Sequence, residues 1–174
     1  MAEEPPLRVL LIVTGSTLRA EEMDRPLGYY LKQRIEQALV EATAGGRDGL
    51  EDYVVRVVAD FRWIHDDPLQ DLPTISLGGP GVNALAHRWL EEVPVSLAFG
   101  ERYFIQMDPD LAEPRASIWG MDNATTQIAV SVFIDRFLSR FLERCATTDA
   151  HLAPSEGDLE GEPGADLDDD GDDE

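Results

Sequence analysis

Three observations predict an α/β fold for this chain of 174 residues. Short strand-like runs stand at 7–15, 53–60 and 74–78, the first nearly continuous in apolar residues, as in a strand covered on both faces. Between and after them lie longer stretches whose apolar residues recur at helical spacing. The two kinds of segment alternate, which builds a mostly parallel sheet with helices on both faces. At this length the body is most simply one domain, residues 1–150, followed by a tail at 151–174.

The elements follow in order. LRVLLIVTG (7–15) is a first strand ending in glycine. Asp24 reads as the cap of a first helix that takes Pro26 in its first turn. Leu27, Leu31, Ile35, Ala38 and Ala42 form its apolar stripe until Gly45-Gly46 stops it. YVVRVVAD (53–60) is a second strand, rich in β-branched residues. FRWIHDDPLQDLP (61–73) is an irregular link with room for one helical turn. TISLG (74–78) is a third strand, and Val82, Leu85, Ala86, Trp89, Leu90 and Val93 share one face of the helix after it. PVSLAF (94–99) and RYFIQM (102–107) are strands joined by a tight hairpin at Gly100-Glu101. ASIWG (116–120) is the last strand. A long helix then runs from Ala124 to Cys145, with Val130, Phe133, Ile134, Phe137, Leu138 and Phe141 on its buried side. The sum is a three-layer, Rossmann-like or flavodoxin-like sandwich. Its sheet is mostly parallel, with one antiparallel strand at 102–107 and the strand order left open.

Charge divides the chain unevenly. The formal net charge is −21, and Glu156–Glu174 holds eleven Asp and Glu with no Lys or Arg. That tail has little to bury and repels itself, so it is expected to be disordered. The remainder is also acidic, which argues against a nucleic-acid partner, because such partners need clustered Lys and Arg. Cys145 is the only cysteine, which excludes an internal disulfide, a zinc finger and CxxC redox chemistry. MAEEPP is acidic where a secretory signal is basic, and Leu7 to Val13 is too short to span a bilayer. The expectation is a cytoplasmic protein with no membrane partner.

Ligands of open parallel sheets bind beyond the carboxyl ends of the strands. Three strand-to-helix turns should meet there: TGSTLRAEEMD, GGPGVN and WGMDNATTQ. Their candidate binding residues are Gly15, Ser16 and Thr17, then Gly78, Gly79, Gly81 and Asn83, then Trp119, Asp122 and Asn123. The glycines permit close approach, helix N-termini favour anions, and Trp119 offers a ring to stack on. Arg19 could pair with an anion held there. The expected ligand is therefore a nucleotide or another anionic, phosphorylated small molecule, bound by a sensor or an enzyme. No catalytic residue and no cofactor is assigned, since GxGxxG, GxxxxGK[ST] and GxSxG are all missing. Each candidate also has a plain structural role. Glycines suit tight turns, Ser and Thr satisfy turn backbone, and Asp122 or Asn123 caps the last helix. Glu21, Glu22 and Asp24 suit a helix N-terminus. His65-Asp66-Asp67, near Asp60, reads as a solvated acidic loop rather than a metal site. A magnesium ion on Asp24, Asp60 or Asp122 would offset the shortage of cations. The other reading is a protein-interaction module without enzymatic activity. In it the tail engages a basic protein or keeps the chain soluble; Tyr29 and Tyr30 of the first helix could serve a homodimer contact or equally cover the sheet.

Overall fold

The computed structural model describes residues 7–93, 97–99, 102–108 and 110–152. Its strands are β1 (Leu7–Thr14), β2 (Tyr53–Ala59), β3 (Thr74–Leu77), β4 (Leu97–Phe99), β5 (Tyr103–Met107), β6 (Arg115–Gly120) and β7 (His151–Leu152). The helices are α1 (Leu18–Ala44), α2 (Asp60–His65), α3 (Asp67–Gln70), α4 (Ala84–Glu92), α5 (Asn123–Arg136) and α6 (Leu138–Ala146). One sheet runs in the order β2-β1-β3-β6-β5-β4, with β7 also paired to β1. β1, β2, β3 and β6 are parallel. β5 runs against both β6 and β4. The expected α/β sandwich is the fold observed, and the strand order that the sequence left open is settled.

Alternation along β1 separates the layers. Leu10 and Ile12 join Leu31 and Ile35 of α1, Phe133 of α5 and Phe141 of α6. Val9, Leu11 and Val13 face the other way, onto Trp63, Leu69, Leu85 and Trp89. Trp63 and Trp89 meet edge to face at 5.6 Å, and Trp63 Nε1 donates to Thr74 Oγ1 at 3.2 Å. Among the described residues no helix is long and apolar enough to cross a membrane.

The first helix departs from expectation. It begins at Leu18, not at Asp24, and its cap is Thr17, whose side chain accepts from Ala20 N at 3.3 Å. Pro26 therefore stands inside the helix, where proline costs roughly 3 kcal/mol relative to alanine. Burial of Ala20, Leu31, Ile35 and Leu39 along one stripe of the helix offsets that cost. Tertiary packing overrides the local signal.

Three further differences concern boundaries. The link after β2 forms two short helices, α2 and α3, and Asp60 opens the first of them instead of ending the strand. The last helix is broken at Phe137 (φ −122°) into α5 and α6, although no proline or glycine lies there. The bonds Phe137 N to Phe133 O and Phe141 N to Phe137 O, both 2.9 Å, run through the bend. It lets Phe133 and Phe141 pack edge on, 5.9 Å apart, so both halves reach one core. Finally, β7 pairs with Leu7 and Arg8, in line with β3, which pairs with Leu11–Thr14. The folded body thus extends past residue 150. The expectations for 153–174 and for the Gly100-Glu101 hairpin tip lie outside the described residues.

Candidate functional site

The order β2-β1-β3 makes the β1–β3 boundary a point where successive crossovers leave in opposite directions, the usual place for a ligand crevice in such sheets. A crevice of about 300 Å³ lies beside it. Its walls come from all three turns: Arg19, Met23 and Asp24 of α1, residues 79–82 after β3, and residues 119–123 with Thr126 after β6. Of the candidates read from the sequence, Gly79, Gly81, Trp119, Asp122 and Asn123 line it, whereas Gly15, Ser16, Thr17, Gly78 and Asn83 do not.

Apart from Ser16, the residues outside the lining serve the local structure around the crevice. A Cβ on Gly15 would run into the Val82 carbonyl oxygen and stand 2.9 Å from Ala20 Cβ, so this glycine lets the first turn touch the second. Ser16 and Thr17 are exposed, and Thr17 serves as the α1 cap. Gly78 has φ +102°, a conformation side chains rarely adopt, and a Cβ there would meet Asp24 Oδ2 at 2.6 Å. Asn83 is 1 % exposed and fully engaged. Its Nδ2 donates to Val13 O (3.1 Å), Ser76 Oγ (3.2 Å) and Leu77 O (2.9 Å). Its Oδ1 accepts from Leu85 N (3.0 Å) and Ala86 N (3.3 Å). One side chain thereby pins the ends of β1 and β3 to the start of α4, with no polar group left for a ligand.

Helix N-termini, the anion sites expected from the sequence, are largely occupied by the protein's own oxygens. Asp60 Oδ2 accepts from Ala84 N of α4 at 2.7 Å. Asp122 Oδ1 accepts from Thr125 N of α5 at 2.8 Å, while Thr125 Oγ1 accepts from Asp122 N at 3.0 Å. The bonds that Thr125 donates to this carboxyl, from its backbone N first and then from its Oγ1 at 2.8 Å, hold Asp122 below the usual carboxylate range. No family model matches the chain, and no curated protein matches it. The chemistry therefore rests on the groups that remain open.

Those groups are few and well defined. The N–H groups of Gly79 and Gly81 make no backbone hydrogen bond among the described residues. Arg19 is exposed on the rim. Trp119 stacks on Phe104 at 4.2 Å and 26°, and its Nε1 donates to Gln106 Oε1 at 3.4 Å, which fixes the ring at the crevice wall. Asn123 Oδ1 is buried without a hydrogen-bond partner.

Asp24 is the residue that sequence reasoning misplaced. It is 7 % exposed, lines the crevice, and accepts no side-chain hydrogen bond among the described residues. Burial pushes its carboxyl up to about 6, against the pull of Arg19. The signal was available: Ala20, Asp24, Gly28, Leu31 and Ile35 follow helical spacing, so an acid stands on the buried stripe. Pro26 hid it by suggesting a later start. Among the described residues no group of three His, Cys, Asp or Glu could hold a metal ion, and Asp60 is committed to α4. Cys145 is buried, and burial pushes its thiol up to about 12, which suits a packed side chain rather than a nucleophile.

Proposed function

We propose that this protein binds a small molecule in the crevice at the carboxyl ends of β1, β3 and β6, with a nucleotide or another phosphorylated metabolite as the ligand. The observation that carries the reading is the meeting of three strand-to-helix turns around one cavity at the switch point of the sheet. Its size falls at the lower end of known small-molecule sites, roughly 300–1,000 Å³. A phosphate would lie against Arg19 and the open N–H groups of Gly79 and Gly81, because Asp60 and Asp122 already occupy the helix ends. A ring would lie against Trp119. The same reading assigns the protein to the cytoplasm, where a lone unpaired thiol such as Cys145 is ordinary. Whether the bound ligand is sensed or transformed depends on groups the ligand itself brings, since no nucleophile–base pair stands among the lining residues.

A ligand that binds only the folded state raises stability, by about 2.7 kcal/mol at one hundred times Kd. Nucleoside monophosphates and sugar phosphates are therefore expected to raise Tm in a thermal-shift panel. Gly79→Val supplies the control. A Cβ at Gly79 would stand 3.8 Å from Trp119 and 3.9 Å from Gly120 O, ordinary contact that narrows the crevice without straining the turn. The variant should fold and lose the shift. If every compound leaves Tm unmoved, or moves the variant equally, the crevice is not the binding site. A basic protein as partner of the acidic tail is a separate proposal, supported by the eleven carboxylates of Glu156–Glu174 alone.

A further inference from the structure

Asp24 is a built feature of the crevice floor. The rim residues Arg19, Met23, Gly81, Met121 and Asp122 are exposed, whereas Asp24 is nine-tenths buried. Its Oδ2 occupies the space that a side chain on Gly78 would fill. Two unusual choices thus serve one carboxyl: an acid on the buried stripe of α1 and a glycine at positive φ after β3. Among the described residues no hydrogen bond to that carboxyl is seen, and it lines the crevice, where a donor on a ligand can reach it. We propose that Asp24 is the specificity residue of the crevice, taking the paired N–H groups of a planar, amidine-type edge on a ligand held against Trp119.

The chemistry follows from geometry. A carboxylate accepts two parallel N–H bonds best from a planar donor pair, and such pairs are charge-assisted. Trp119, clamped by Phe104 and Gln106, presents an aromatic wall in the same cavity, and aromatic walls favour flat and cationic groups. A phosphate cannot take the floor beside an ionised Asp24. It belongs at the rim with Arg19. A ligand with a donor edge at one end and an anion at the other satisfies both, as in a nucleotide whose base carries adjacent ring N–H and exocyclic amine groups. This inference rests on the crevice being the ligand site.

The test uses the full chain and four probes: benzamidine (a planar amidinium), benzoate (its anionic counterpart), guanosine 5′-monophosphate, whose base offers the donor pair, and adenosine 5′-monophosphate, whose base sets an acceptor beside its amine. Binding is read as the shift of the Trp119 indole N–H resonance, assigned with Trp119→Phe. Benzamidine and guanosine monophosphate should titrate this resonance, and benzoate should not. Adenosine monophosphate should bind at least tenfold more weakly than guanosine monophosphate. Asp24→Asn should weaken benzamidine tenfold or more while keeping the resonance dispersion of a folded chain. Equal binding of the two nucleotides, binding of benzoate, or an Asp24→Asn variant with unchanged affinity would overturn the donor-pair assignment yet leave the crevice as a ligand site. If no probe moves Trp119, both this inference and the proposed function fall.

Discussion

Asp24 gives the residue scale its sharpest prediction. Its folded pKa of about 6 lies above the ordinary 3.8, with Arg19 on its own helix the charged neighbour opposing the shift. The folded state therefore binds the proton first. As pH falls from 7 towards 4 the contribution of Asp24 to stability rises, and it is unfavourable above pH 6. Asp24→Asn removes the buried charge and should stabilise the protein by about 1–2 kcal/mol at pH 8, a gain that vanishes near pH 4. Urea unfolding at the two pH values measures this, and a loss of stability at pH 8 would mean the carboxylate already has a partner. The glycines divide just as clearly. A Cβ on Gly120 would collide with Thr125 Oγ1 and Thr126 N, whereas one on Gly81 meets nothing within 4 Å. Gly120→Ala should lower Tm, and Gly81→Ala should leave it unchanged. Little of this was legible in the sequence, because GGPG and WGMDN show that glycine is needed but not whether a ligand or a neighbouring turn needs it. Asn83 is the plainest case, a ligand candidate by position that the fold consumes whole.

At the scale of elements, Asn83 and Pro26 make opposite predictions. Asn83→Ala removes the α4 cap and leaves Leu77 O and Val13 O short of a donor, so it should cost about 2–3 kcal/mol by chemical denaturation. Pro26→Ala restores a backbone donor at an exposed position inside α1 and should raise stability by about 1–3 kcal/mol. A neutral outcome would show that the helix bends to accommodate the proline. The elements that the sequence revealed best were β1, β2 and β3, short runs rich in apolar and β-branched residues, with β1 buried on both faces. Those it blurred were helices whose limits depend on partners. α1 starts early because its first turns lie over the ends of β1 and β3, and the α5–α6 bend at Phe137 has no local residue to announce it. The capping box Asp122–Thr125 was legible in part, as a cap without its reciprocal bond.

The whole molecule separates a closed sheet edge from the edge that carries the crevice. At the amino ends of the strands Arg8 gathers backbone oxygens, donating to Gly49 O and to Thr148 O (3.1 Å), with its guanidinium 4.5 Å from the Tyr53 ring centroid. These contacts close the sheet around the end of α6, at the edge opposite the crevice. Tyr29 and Tyr30 are 38 % and 46 % exposed on α1, so the homodimer contact expected from the sequence remains a proposal that sedimentation of the wild type and a Tyr29→Ser, Tyr30→Ser variant would test. Removing Glu156–Glu174 takes the formal charge from −21 to −10 and retains β7. The truncated chain should keep its Tm, and it should lose any salt-sensitive binding to a basic protein. The close approach of Gly15 to Val82 bears on how the cavity could adjust to an occupant. Two of its sides are wedged together, backbone to backbone. If a ligand enters as proposed, room would have to be made on the remaining side, where Trp119 and its neighbours border the antiparallel strands, so one flank would serve as anvil and the other as jaw.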